Sequence, residues 1–390
     1  MNRLSLGKDL YVKGRIGWKG LNKDEYLNKS DYKIINGTAL MDGYIDWNKC
    51  GYISKERYDE SPEIMLKEDD ILITKDGTIG KIGYVKNLVC KCSVASGIFV
   101  VRNTKNDILD TDYLYHLLNS HVFKDFVFRN KAEGSTINHL YQRELDKFVI
   151  ELPDLKEQKK VASILNKIDD IMSNNVYINN TITNSIKEKY DFIFYNLDNK
   201  YTDLVFSKEL NRKIRKCWRV VKLDNALKKI TKNKQYKTSE YLEDGKYPII
   251  DQSTDYICGF CNEKENLLNL DDCVIFGDHT RELKYVNFPF ARGADGTKVL
   301  YSNEKNLNNY LMYLQLYDYD ISNQGYSRYY KYLKEKYVFI PDDETLGMFN
   351  QGIMQQMNVI RENIEFNITL GRLKRYILPL LMNGQIKIED

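Results

Sequence analysis

Long apolar runs are missing from this chain. Nowhere in its 390 residues does a stretch approach the roughly 20 consecutive apolar residues needed to cross a bilayer. The opening MNRLSLGKDL also lacks the apolar h-region of a secretory signal. No membrane partner is expected, and the predicted location is cytoplasmic. Catalytic signatures are equally scarce. The four histidines, His116, His121, His139 and His279, are scattered, and neither G-x-S-x-G nor H-E-x-x-H occurs. Glycines at 14, 17 and 20, and again at 77, 80 and 83, read G-x-x-G-x-x-G, which is not the dinucleotide spacing G-x-G-x-x-G. There is no G-x-x-x-x-G-K-[ST] phosphate loop. The expectation is a non-catalytic chain with no cofactor and no metal site of its own.

Seven cysteines, an odd number at irregular spacing, argue against a disulfide framework. Cys90 with Cys92, and Cys258 with Cys261 in CGFC, are the close pairs. Zinc needs about four ligands, and no second pair or histidine cluster lies nearby. A redox dithiol would open a helix after a strand, whereas CGFC sits in strand-and-turn composition. Plain β-region cysteines are the simpler reading, with thiol-redox chemistry at Cys258 and Cys261 a remote alternative.

A net charge of +3 is too small to argue for nucleic acid by itself. Its distribution says more: between Lys208 and Lys234 there are eleven Lys or Arg and only two acids, Glu209 and Asp224. Such a segment can neutralise phosphates or serve as a solvated linker. Tyrosine outnumbers phenylalanine 30 to 15, which suits a recognition surface but also fits a general drift toward Lys, Asn, Ile and Tyr. With 43% hydrophobic and 29% charged residues the chain is globular, with room for two or three domains.

What is present is a two-part pattern written twice. A Tyr- and Gly-punctuated stretch closes on an apolar run and a proline, and a long amphipathic helix follows. The first junction is FVIELPDLKEQKKVASILNKIDDIM at 148–172, the second YVFIPDDETLGMFNQGIMQQMNVI at 337–360. Asp154 is placed to cap the first helix, with Glu157 as the capping-box acid. The apolar seam then steps through Val161, Ile164, Ile168, Ile171, Asn175, Ile178 and Ile182 at heptad spacing, and slips to Ile186, Tyr190, Ile193 and Leu197. A helix of about 44 residues, roughly 65 Å long, is predicted. After Pro341, Asp342 can cap a second helix whose seam runs Ile353, Met357, Ile360, Ile364 and Asn367, then Leu370, Leu373, Ile377 and Leu381. Pro379 should kink it and Gly384 end it. One asparagine in each seam sets register. The economical arrangement is an antiparallel coiled coil within the chain, so the predicted fold is α+β: two β-rich modules with helices, joined by two long antiparallel helices.

The globular stretches carry short strand patterns and glycine turns. ILIT at 71–74 precedes KDGTIGKIGYV at 75–85, and CVIF at 273–276 precedes GDHTRELKYV at 277–286. The scaffold repeats while the exposed residues do not. Several turns group hydrogen-bonding side chains of the kind that read base edges and hold phosphates. They are Arg15, Trp18 and Lys19; Lys75, Asp76 and Lys81; Ser135, Thr136, Asn138 and His139; His279, Thr280, Arg281 and Lys284; and Tyr326, Ser327, Arg328 and Tyr329. Taken singly, each is more simply a turn that merely shapes the fold, as hairpin turns at Asp76 with Gly77 and at Gly277 with Asp278 would be.

Several strings together resemble the specificity subunits of type I restriction-modification enzymes. They are RIGWKG at 15–20, LKEDDILITKDGTIGKIGYV at 66–85, LPDLKEQKKVASILNKID at 152–169, GDHTRELKY at 277–285, GYSRYYKYLKEKYVFIP at 325–341 and LLMNGQIKI at 380–388. The second junction, PDDETLGMFNQ, departs from the LPxLxEQ pattern, and the tryptophan expected early in each half is present only as Trp218.

The resemblance implies target-recognition domains at 1–151 and 217–341, spacer helices at 152–198 and 342–390, and a basic linker at 199–216. Each domain would read one half of a split double-stranded DNA target through the major groove. The helices would set the gap and dock two modification subunits. Those partners would bring S-adenosylmethionine and adenine N6 methyl transfer, and nuclease and translocase subunits using ATP and Mg would join where unmodified DNA is restricted. A coiled-coil interaction adaptor that reads no bases is the alternative.

Overall fold

The computed structural model describes all residues except 1, 17–19, 41–44, 89, 131–138, 199, 231–233, 318, 320–327, 387 and 389–390. Two compact units divide the chain, 1–173 with 370–390, and 174–369.

The first unit opens on β1 (Asn2–Ser5), α1 (Leu6–Asp9) and β2 (Tyr11–Gly14). β3 (Tyr32–Ile35), β4 (Gly51–Ile53), α2 (Lys55–Asp59), β5 (Ile71–Thr74), β6 (Ile82–Tyr84), β7 (Lys91–Val94) and β8 (Ile98–Arg102) follow. Then α3 (Thr111–Asn119), α4 (His121–Asn130), α5 (Gln142–Leu145) and β9 (Val149–Leu152) lead into α6 (Leu155–Phe194). Strand order is β2-β8-β5-β6 in one sheet and β4-β3-β7 in another, with β3 and β7 parallel. β1 pairs antiparallel with β9, Asn2 opposite Leu152.

ILIT at 71–74 is buried at every position because β5 lies between β8 and β6 and is covered on both faces. Its side chains still alternate. Ile71 and Ile73 join Phe99, Tyr113, Leu114 and Leu165 in one core cluster, and Leu72 joins Ile35, Val94 and Val100 in another. The start of α6 is stitched to this core. Asp154 Oδ1 accepts from the Glu157 N–H at 2.9 Å, as the capping pattern predicts. The buried Gln158 accepts from the Asp110 N–H and donates to the carbonyls of Ile108 and Pro153.

In the second unit, the segment read as a basic linker folds into a hairpin of β10 (Leu204–Ser207) and β11 (Arg212–Arg215). Its arginines are spent on packing: the Arg212 guanidinium lies 3.7 Å from the Tyr195 ring centre, and that of Arg215 lies 4.2 Å from that of Tyr201. β12 (Arg219–Lys222), α7 (Leu223–Ala226), β13 (Tyr247–Ile250), β14 (Gly259–Cys261), β15 (Cys273–Gly277), β16 (Leu283–Val286), β17 (Ala291–Arg292) and β18 (Thr297–Leu300) follow. α8 (Asn309–Tyr317), α9 (Tyr330–Lys334), β19 (Tyr337–Ile340), α10 (Asp343–Asn350) and α11 (Ile353–Met382) complete the described elements. The sheets β16-β15-β18 and β14-β13-β17, the latter with β13 and β17 parallel, repeat the first unit's plan, and β12 pairs with β19 as β1 does with β9.

Asp342 gathers the second junction. It accepts from Trp218 Nε1 at 2.9 Å, the Thr345 N–H at 3.0 Å, Thr345 Oγ1 at 2.8 Å and Arg215 Nη1 at 3.0 Å. Burial alone would raise its carboxyl, but these donors hold it down at about 2.

The second helix is not continuous from Pro341. Gly352, at φ +78°, separates α10 from α11, because the left-handed backbone that glycine adopts without strain cannot continue a helix. Pro379 lies inside α11, and Gly384, at φ +67°, follows its end. Within the second unit Asn175 Nδ2 donates to Asn367 Oδ1 and Asn363 Nδ2 to Asn179 Oδ1, both at 2.8 Å, so α6 and α11 run antiparallel. Within the first unit Lys374 Nζ meets both Asp169 carboxylate oxygens at 2.5 and 2.7 Å, in the same sense. The predicted seam is buried at Val161 and Ile168 in its heptad part and at Ile186 and Tyr190 beyond the slip. It is not buried at Ile171, Ile178 and Leu373, which stay 41%, 42% and 45% exposed.

Candidate nucleic-acid interface

One arrangement of backbone occurs in both units. In the first, the Thr74 N–H donates to Lys81 O and the Gly80 N–H to Thr74 O, closing the β5–β6 hairpin at 3.0 and 2.9 Å. Lys75 is then clasped from two sides: its N–H donates to Gly97 O at 2.8 Å, and the Leu140 N–H donates to Lys75 O at 2.9 Å. In the second unit, the Gly277 N–H donates to Glu282 O and the Arg281 N–H to Gly277 O, at 2.8 and 2.9 Å. Asp278 donates to Gly296 O and accepts from the Tyr329 N–H, both at 2.9 Å. The same four bonds equate Thr74 with Gly277, Lys75 with Asp278, Gly80 with Arg281, Gly97 with Gly296, and Leu140 with Tyr329. A hairpin tip, the turn before a strand and a crossing strap thus converge at one edge of each module. The first tip, 75–80, is two residues longer than the second, 278–281.

The side chains on this shared frame differ. In the first module Lys75 packs over Phe99, its ammonium 4.9 Å from the ring centre, and burial lowers its pKa against the opposing pull of Asp76. Asp76 Oδ1 lies 2.7 Å from Nδ1 of His139 on the strap. These residues line a cleft of about 350 Å³ together with Ser96, Tyr141 and Gln142. Lys81 is exposed just past the tip. In the second module the position of Lys75 holds a buried carboxylate: Asp278 accepts from the Tyr330 N–H at 2.9 Å and lies 3.4 Å from Lys298 Nζ. His279, Thr280, Arg281 and Arg328 are exposed around it, with the Arg281 guanidinium 5.2 Å from the Tyr329 ring centre.

Two of the sequence-derived candidates are buried, although Arg15 also borders the cleft of the first module. Arg15 is 2% exposed and donates to Val94 O at 3.2 Å, with Ser93 Oγ and Ser61 Oγ at 3.4 and 3.5 Å. Its charge is consumed inside the module, not offered at the surface. Lys284 is 5% exposed, and its Nζ donates to the carbonyls of Asp251 and Asp255. Trp18, Lys19, Ser135, Thr136, Asn138, Tyr326 and Ser327 lie outside the described residues. Sequence reasoning passed over Ser96, Gly97, Tyr141, Gly296 and Lys298. Ser96 and Gly97 open the strand-like string SGIFVVR at 96–102 and Tyr141 stands two residues past His139, but nothing in the sequence joined them to the hairpin.

The CGFC cysteines are held in their thiol form. Burial and a 2.8 Å hydrogen bond to Asp251 Oδ1 push the Cys258 thiol up to about 11, and burial also raises Cys261. Among the described residues no three His, Cys, Asp or Glu side chains are grouped to hold a metal ion. No helix among them is long and apolar enough to cross a membrane.

Residues 16–201 match the family model described as the type I restriction modification DNA specificity domain. The chain is 24% identical over 344 residues to the type I restriction enzyme MjaIX specificity subunit of Methanocaldococcus jannaschii, a match covering 82% of this chain and 78% of that one. It is 29% identical over 216 residues to the MjaVIII specificity subunit of the same organism, covering 53% of this chain and 47% of the relative. The chain is similar to the type I restriction-modification specificity subunits, and residues 16–201 carry their specificity domain. Its fold agrees: across 100% of this chain and 96% of the other, it matches the crystal structure of the S subunit of a type I system from M. genitalium, with a TM-score of 0.51 at 15% identity. The matched specificity domain holds the first hairpin, its strap and all of α6, whereas the second hairpin and strap lie beyond residue 201.

Proposed function

We propose that each module of this specificity subunit reads one half of a split double-stranded DNA sequence with its hairpin tip and strap. The observation that carries the reading is the repeated clasp at Lys75 and Asp278, one backbone solution dressed with two different sets of polar side chains. Base edges are told apart by donor and acceptor pattern in the major groove. Two modules with unlike side chains on like frames suit an asymmetric, two-part target. Lys75, Asp76, Lys81 and His139 serve the first half, and His279, Thr280, Arg281, Arg328 and Tyr329 the second. By sequence, Ser135, Thr136 and Asn138 go with His139, and Tyr326 and Ser327 with Arg328, while Trp18 and Lys19 add the separate RIGWKG turn to the first half.

The paired helices α6 and α11 act as the spacer between half-sites and as the docking element for two modification subunits. Those subunits supply S-adenosylmethionine and methyl transfer to adenine. Restriction subunits with ATP and Mg add cleavage where present. The specificity subunit itself contributes recognition and no catalytic group, and the assembly works in the cytoplasm.

The test is a reconstituted complex of this chain with its modification subunit, scored by methylome sequencing. One bipartite motif is expected, and exchange of residues 1–150 for those of another family member should change one half of it alone. A change in both halves, or binding that random DNA competes away fully, rejects the reading.

A further inference from the structure

Arg281 occupies a backbone conformation that its own side chain disfavours. Its φ is +67°, in the left-handed region where a Cβ is strained and glycine is not. The first module meets the same requirement with Gly80, at φ +83° and with the same hydrogen bond back to the end of the central strand. Folding therefore asks for glycine at this corner, and the second module places an arginine there instead. Strain of this kind persists where a side chain is needed for something other than the fold.

The side chain is arranged for contact outward. Arg281 is exposed, its guanidinium rests against the Tyr329 ring, and among the described residues no carboxylate pairs with it. Other arginines of this unit are committed: Arg212 to Phe194 O, Arg215 to Asp342 and Arg219 to Glu304. Tyr329 is itself held, because its N–H donates to Asp278 O. A planar donor fork on a held aromatic platform loses little freedom on binding. A guanidinium meeting a base edge in the major groove matches the O6 and N7 acceptors of guanine bidentately.

We propose that Arg281 is the guanine-reading residue of the second half-site. The first module, with Gly80 at the equivalent corner, has no such reader there and draws its contacts from Lys75, Asp76 and His139. The inference rests on the recognition function proposed above.

The decisive substitution is Arg281→Gly, since it relieves the backbone while removing the fork. In the complex with the modification subunit, the wild-type motif should hold an invariant guanine in the half-site that survives exchange of residues 1–150. R281G should accept other bases at that one position, losing on the order of 10- to 100-fold discrimination. All other motif positions should stay unchanged, and the thermal midpoint of the variant should not fall below that of the wild type. R281K, which keeps the charge without the fork, should also relax the position.

A motif left intact by R281G overturns the assignment. So does equal weakening on every sequence with a salt slope reduced by about one, the mark of a phosphate contact. A wild-type complex with no defined motif rejects the parent reading, whereas a defined motif with no guanine affected by R281G rejects Arg281 alone.

Discussion

Asn175 on α6 donates through Nδ2 to Oδ1 of Asn367 on α11 across 2.8 Å, so the single asparagine in each predicted seam finds the other. Paired amides between two helices specify register more than they add stability, and Asn363 with Asn179 makes a second such pair. Removing one partner breaks this bond, so Asn175→Leu should cost about 1 kcal/mol in chemical denaturation. The double variant N175L/N367L should recover most or all of that loss, as apolar replacement of both members of a polar pair generally does. A double variant less stable than either single one would show that the pair contributes net stability.

The acid sensitivity of the second junction follows from Asp342. Its folded pKa is depressed to about 2, below the ordinary value near 3.8, so its stabilisation is fully present above pH 4 and is lost as pH falls through 4 toward 2. The shift corresponds to roughly 2 kcal/mol. Asp342→Asn should lower stability at pH 7 by that order and flatten the pH profile between 4 and 2, as read from urea midpoints.

His116 acts over a different window. It is buried with Nε2 2.8 Å from Asn166 Oδ1, and burial, with the nearby Lys374 ammonium, lowers its pKa from 6.5 to about 3. The unfolded chain takes up a proton below pH 6.5 that the folded chain refuses, so stability falls as pH drops from 6.5 toward 3, at up to about 1.4 kcal/mol per pH unit. His116→Gln should reduce that slope. An unchanged slope between pH 6 and 4 would assign the acid lability to other groups.

Arg15 and Lys284 separate folding from recognition. Arg15→Ala and Lys284→Ala each leave buried acceptors without donors, at about 1–3 kcal/mol per stranded group. Thermal midpoints should fall clearly, while the methylated motif of whatever folds stays that of the wild type. Lys75→Ala is expected to do the reverse, sparing the midpoint and weakening DNA binding.

The local signals in the sequence were good guides. The caps at Asp154 and Asp342, the seam asparagines and the strand ILIT are each decided by residues within a few positions, and the structure carries all of them. Long-range consequences were invisible. GRIGWKG reads as an exposed turn, yet Arg15 finds Ser61 and Ser93, 46 and 78 residues further on. The Lys208–Lys234 segment reads as solvated charge, but Tyr195 and Tyr201 lie ahead of it to receive two of its arginines. The sequence after Pro341 reads as one helix, and only the φ of Gly352 reveals the break between α10 and α11. At the candidate interface the hairpins were legible and the straps were not, because a strap is defined by one N–H reaching a carbonyl more than 50 residues earlier in the chain.

Each module also begins and ends at one place. Asn2 faces Leu152 across β1 and β9, and Arg219 faces Ile340 across β12 and β19. Paired strands lie about 4.8 Å apart, so more than a hundred residues of reading apparatus enter and leave through a doorway the width of two backbones. What lies beyond the first doorway has to match that four-residue ladder and the face of α6 it packs on, where Gln158 bonds Asp110 and Asn166 bonds Asp112. The same pairing that closes each module sets its two ends side by side, so the chain enters and leaves the module at neighbouring points.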